Sequence, residues 1–206
     1  MYPGERLNSI SHLLGVFFSV AATSILVTMA YMKGDISKIV GMSIYGSMTT
    51  LLYVASTLYH SVRGPAKRVL QQLDHVSIYL MIAGTYTPFM VVMNDSFSWL
   101  LLAVVWAMAL VGILQELLIG PRTRRYSLLI YCVMVGLTIF DTQTLIQKIS
   151  MEGFRWIVAG GIIYTVGVVI YVLDDRIKHG HGIWHLLVLA GTFCHFACLV
   201  GYVIKV

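Results

Sequence analysis

His181 and His185 stand four residues apart at the start of the last long apolar run, in the stretch His181-Gly182-Ile183-Trp184-His185. On a helix that spacing sets two imidazoles about 40° apart around the axis and one turn apart along it. One helix can thereby offer two ligands to a single metal ion. Two ligands do not complete a site, so a third must come from another segment at the same membrane depth. His60 is the candidate: it closes the second apolar run, with Ser56 one turn before it on the same face, and Asp74 opens the third run. Three neutral imidazoles with an open fourth position describe a catalytic zinc (Zn2+) site rather than a closed structural one. Zinc would lower the pKa of a bound water to about 7 and polarise a carbonyl beside it. Asp74 would hold that water and act as its general base, or orient a ligand. Ser56 would bond the water or help receive an oxyanion. Asp74 also fits an N-cap of its helix, and each histidine taken alone fits an interfacial residue.

The elements that must bring these side chains together are membrane spans. The chain of 206 residues is 58% hydrophobic and 11% charged, whereas a soluble domain averages about 25% charged residues. Apolar runs of roughly 20 residues recur, each long enough for a ~30 Å hydrocarbon core. The pattern predicts an all-α, seven-transmembrane helix bundle forming one domain, 1–206, with helices at about 12–32, 39–60, 72–93, 98–119, 126–147, 156–173 and 182–202. The first run is too long for a signal-peptide core and is expected to be retained.

Seven spans put the termini on opposite sides. The amino terminus and the loops after the second, fourth and sixth spans carry nine Lys/Arg: Arg6, Arg63, Lys67, Arg68, Arg122, Arg124, Arg125, Arg176 and Lys178. The other side carries five: Lys33, Lys38, Lys148, Arg155 and Lys205. The amino terminus is therefore expected in the cytoplasm and the carboxy terminus outside. By parity, the end of the second span and the starts of the third and seventh lie at one depth, which collects His60, Asp74, His181 and His185. Ionisable groups inside spans are costly and face a partner, a cavity or an ion.

The remaining polar residues carry weaker signals. His12 opens the first span on the same side and is read as a support of the site or an interfacial residue. His75 points about 100° away from Asp74. His179 sits in a loop made loose by Gly180 and Gly182, and His195 lies about 15 Å deeper than His185, where packing is expected. Glu116, Asp141 and Gln143 are expected to pair between helices. Cys132, Cys194 and Cys198 have no CxxC spacing and are expected as free, packed thiols. The net charge of +5 is scattered over short loops, which argues against nucleic acid as a partner.

Four stretches together resemble the hemolysin III family, bacterial members of the progestin and adipoQ receptor group that includes the adiponectin receptors. They are Asn8-Ser9-Ile10-Ser11-His12-Leu13-Leu14-Gly15, Ser56-Thr57-Leu58-Tyr59-His60, Leu73-Asp74-His75 through Ala83-Gly84-Thr85-Tyr86-Thr87-Pro88-Phe89, and His181-Gly182-Ile183-Trp184-His185. The resemblance implies zinc held by His60, His181 and His185, with Asp74 and Ser56 matching the group's aspartate and serine. The group looks related to alkaline ceramidases, which implies hydrolysis of a lipid amide or ester. Gly180 departs from the pattern, since the receptors imply serine there.

The expected function is a membrane-embedded zinc hydrolase with a membrane lipid as substrate or ligand, its site near the cytoplasmic face. Two alternatives stand beside it: a hemolysin or pore-forming membrane protein, and a non-catalytic membrane-state sensor or receptor in which zinc is structural.

Overall fold

The computed structural model describes residues 1, 2, 4–120 and 124–206, with backbone alone at 124 and 125. The described residues are helical, with no strand. In chain order they form α1 (Arg6–Met32), α2 (Ile36–Ser61), α3 (Ala66–Met93), α4 (Ser96–Ile119), α5 (Arg124–Gly136), a 3-10 segment (Leu137–Asp141), α6 (Thr142–Val172) and α7 (Gly180–Cys198), which runs into a π-helical turn (Leu199–Val203). Of the basic turn read over 120–125, Pro121, Arg122 and Thr123 lie outside the described residues.

Short polar caps set the helix ends. Asp35 accepts the Lys38 backbone N–H at 3.0 Å to start α2. Asp95 accepts the backbone N–H groups of Phe97 and Ser98, both at 2.9 Å, to start α4. Each satisfies donors that a helix start leaves open. Asn94, in the left-handed region at φ 50°, closes α3. Two helices begin earlier than the apolar pattern suggests. α1 starts at Arg6, so His12 lies inside it rather than at its start. α3 starts at Ala66 behind Pro65, whose φ of −59° is preset for a helix. Lys67 and Arg68 are thus helical, and Asp74 is an interior residue of α3, which rules out the N-cap reading.

Six helices among the described residues are long and apolar enough to cross a membrane: α1, α2, α3, α4, the stretch Tyr126–Val172, and Gly180–Val203. The fifth and sixth expected spans fall within the single stretch Tyr126–Val172, 47 residues long. Inside it, Ser150 leaves helical geometry at φ 66°, ψ 167°.

α3 is the central helix, with 78% of its most apolar window buried, against 22% for α1 and 11% for Tyr126–Val172. Tyr79, Ala83, Tyr86, Phe89 and Met90 of α3 pack with Leu26, Met42, Tyr45 and Val105 in the main core. Phe17, Phe18, Leu118, Ile139 and Phe140 point outward, as side chains against lipid tails do. Cys132 is also exposed rather than packed, while Cys194 and Cys198 are buried, and all three are free.

Among the described residues, two of the polar groups expected to pair between helices do so. Glu116 of α4, 1% exposed, accepts from His75 Nδ1 of α3 at 2.8 Å. Ser98 donates to Asp141 at 3.2 Å. Leaving a buried hydrogen-bonding group without its partner costs about 1–3 kcal/mol. His75→Ala is therefore expected to lower the thermal midpoint in detergent well below that of the double variant His75→Ala/Glu116→Leu. Equal losses would show that Glu116 left without His75 carries no penalty.

Candidate metal centre

α2 ends with His60 in its last turn, and α7 begins with His181 and His185 in its first two. One ligand nitrogen of each lies within 4.8 Å of the others. The ring centroids are 5.1 Å apart for His60 and His181, 4.8 Å for His60 and His185, and 4.9 Å for His181 and His185. His60 and His185 are buried, and His181 is partly open.

Each ring has its Nδ1 engaged by an acceptor of the protein. His60 Nδ1 donates to Glu5 Oε2 at 2.6 Å, His181 Nδ1 to Asp174 Oδ2 at 3.0 Å, and His185 Nδ1 to the Asn8 carbonyl at 3.0 Å. A carboxylate or carbonyl only accepts, so each Nδ1 carries the proton and, in the neutral ring, each Nε2 keeps its lone pair. His60 Nε2 is buried with no hydrogen-bond partner. Three imidazoles in one tautomer, one of them with a buried and unpartnered nitrogen, have the donor chemistry of a histidine metal site whose orienting partners are in place.

Close backbone approaches hold these partners. A Cβ on Gly180 would lie 2.8 Å from Asp174 Cα, and one on Gly182 would overlap Leu7 Cδ2 and lie 3.2 Å from Asn8 Oδ1. The two glycines are packed contacts, not a loose hinge. Gly180 seats the Asp174 turn beneath His181, leaving no room for the serine implied there, and Gly182 lets α1 bring the Asn8 carbonyl to His185. His179 precedes them in the left-handed region at φ 61° and is exposed, away from the cluster.

Asp74 lies near enough to Ser56, His75 and His181 to interact with them electrostatically. Ser56 is buried one turn before His60. The ring of His12 stacks on His185 with centroids 3.7 Å apart, which places it beside the cluster. His195 is buried against the Tyr164 ring at 5.5 Å, remote from the three histidines in the lower part of α7.

Two residues against the cluster carry no usable sequence signal. Glu5 stands in a short polar terminus 55 residues from its histidine, and Asp174 is one of two adjacent aspartates in a polar connection. Only the fold reveals those pairings. Glu5 also accepts Asn8 Nδ2 at 2.7 Å and Lys67 Nζ at 3.1 Å. Burial alone would raise the Glu5 carboxyl, but the hydrogen bonds from Asn8, His60 and Lys67 outweigh it and bring its pKa to about 2.

Comparison with known proteins matches residues 2–196 to the family described as Haemolysin-III related. The chain is similar to Hemolysin-3 of Bacillus cereus, 38% identical over 97% of this chain and 92% of that one. It is also similar to the Hemolysin-3 homolog of Bacillus subtilis (strain 168), 37% identical over 98% and 95%. A more distant relative is the Monocyte to macrophage differentiation factor of Homo sapiens, 25% identical over 79% and 70%.

The packing of the two glycines gives opposite expectations for alanine. At Gly180 the obstacle is the backbone of Asp174, so Gly180→Ala is expected to cost about 1–3 kcal/mol by overpacking. At Gly182 the obstacle is chiefly the end of the Leu7 side chain, which can rotate, so Gly182→Ala costs less. Thermal midpoints in detergent measure both, and the reverse order would contradict this account of the α7 start.

Proposed function

The chain belongs to the Haemolysin-III related family, and on that basis and the histidine cluster we propose that it is a membrane-embedded zinc hydrolase acting on a lipid amide or ester. It is an integral multi-pass protein of the cell membrane, in keeping with its family and its six long apolar helices. The observation that carries the proposal is the geometry of His60, His181 and His185: nitrogens within 4.8 Å, every Nδ1 already engaged, and Asp74 and Ser56 alongside. Three imidazoles that leave a fourth position open suit a catalytic rather than a closed zinc site.

In this reading His60, His181 and His185 hold the ion. When bound, zinc supplies Lewis acidity, making a water more acidic and polarising an acyl carbonyl. Asp74 accepts a proton from the water that attacks the carbonyl. The acyl carbon gains a C–O bond and loses its bond to the amine or alkoxide, which leaves with the proton that Asp74 returns. Ser56, beside Asp74, orients that carboxylate or donates to the developing oxyanion.

The same proposal takes the chain as one seven-span domain, residues 1–206. A straight helix of 47 residues would measure about 70 Å, more than twice a ~30 Å core. The non-helical Ser150 supports two spans there, 126–149 and 151–172. With nine Lys/Arg on one side and five on the other, the amino terminus faces the cytoplasm, the carboxy terminus faces outside, and the metal cluster lies near the cytoplasmic surface. Water would reach the site from the cytosol and a lipid from between helices.

The name of the Bacillus cereus relative, Hemolysin-3, favours a second reading as a lytic membrane protein. One experiment separates the two. Zinc-loaded protein in lipid nanodiscs is expected to release fatty acid from an N-acyl lipid amide or the matching ester. Asp74→Asn should cut that rate by about 10²–10⁴-fold, the usual contribution of a general base, while retaining zinc. Absence of turnover on either substrate class would contradict the hydrolase. Dye release from liposomes that survives Asp74→Asn and His185→Ala would favour lysis instead.

A further inference from the structure

The geometry points to Glu5 as a positioning residue of the metal centre: its carboxylate holds His60 in the one tautomer and orientation that presents Nε2 to the ion. This inference rests on the reading of His60, His181 and His185 as zinc ligands, and it makes the segment before the first span part of the site.

The Nδ1–Oε2 separation of 2.6 Å is the shortest of the three bonds that engage the cluster's Nδ1 atoms. A carboxylate that accepts from the distal nitrogen of a ligating histidine fixes the tautomer, locks the ring and raises ligand basicity. Glu5 is itself held for this task. Asn8 Nδ2 donates to the same oxygen, Oε2, at 2.7 Å. The other oxygen, Oε1, receives Lys67 Nζ at 3.1 Å and the Tyr2 hydroxyl at 3.3 Å. Lys67 Nζ also bonds the Tyr2 hydroxyl, and the Arg63 guanidinium lies 3.9 Å from the centre of the Tyr2 ring. The turn before α1 is thereby fastened to the end of α2 and the start of α3, so the carboxylate meets His60 in a fixed place.

Charge leads to the same assignment. Three neutral imidazoles contribute nothing to offset a doubly charged ion, and an unmatched charge is costly beside hydrocarbon. Glu5 on His60 and Asp174 on His181 set two carboxylates against the ligand shell, while His185 rests on a neutral carbonyl.

The test is zinc affinity in detergent-solubilised full-length protein, measured by competition with a chromophoric chelator and paired with the visible absorption of the cobalt-substituted form. Glu5→Ala is expected to weaken zinc binding about 10–100-fold, the usual effect of losing such a partner, and to shift the cobalt bands. Glu5→Gln keeps an acceptor oxygen but not the charge, so its loss should be smaller and its bands nearer to wild type. A purely structural role would lower the thermal midpoint of the zinc-free protein and leave the affinity and the cobalt spectrum of the folded fraction unchanged. Affinities and spectra of both variants equal to wild type, in a protein whose binding His60→Ala abolishes, would overturn the role of Glu5 alone. Failure of the wild-type protein to bind zinc or cobalt would overturn the metal reading and this inference together. If Glu5→Ala does not fold, Glu5→Gln decides by the same two readouts.

Discussion

Each imidazole of the cluster donates its Nδ1 proton to a fixed acceptor, and the arrangement of that end of the bundle depends on those three bonds. Near hydrocarbon a polar nitrogen without a partner is costly. Engaging one nitrogen of each ring leaves the other nitrogen as the group that must find a use. His60 Nε2, buried and unpartnered, is that group in its plainest form. The acceptors come from three places: the turn before α1, the backbone of α1 and the connection into α7. α1, α2 and α7 are consequently tied together at one end by the same interactions that orient the rings.

α3 supplies the rest of the constraint. As the most enclosed helix, it carries Asp74 toward Ser56 and His181 on one side and His75 toward Glu116 on another. Two adjacent ionisable residues thus serve different environments, because a helix turns about 100° between neighbours. The division turns Asp74 toward the histidine cluster and gives the buried Glu116 of α4 a counterpart in α3.

Much of the candidate site was legible in the sequence because two independent regularities agree. The four-residue spacing of His181 and His185 places them on one helix face, and the expected parity of the spans points to His60 and Asp74 as their neighbours; the structure brings His60 to them. What was not legible has physical reasons. Glu5 and Asp174 meet their histidines through turns whose geometry no periodicity encodes. Helix starts were misplaced where polar residues continue a helix beyond the apolar run, as at Arg6 and Ala66. Gly180 and Gly182 resemble loop residues until the neighbours that require a missing Cβ are seen. Cys132 illustrates a further limit: in a helix apolar all round, composition does not reveal which face meets lipid.

The central claim is that the three histidines hold zinc, and elemental mass spectrometry of tag-free purified protein tests it most directly. The account predicts about one zinc per chain in the wild-type protein and loss of that zinc in each of His60→Ala, His181→Ala and His185→Ala, with helical content preserved. Well-folded wild-type protein without metal, or variants that keep the zinc, would contradict it.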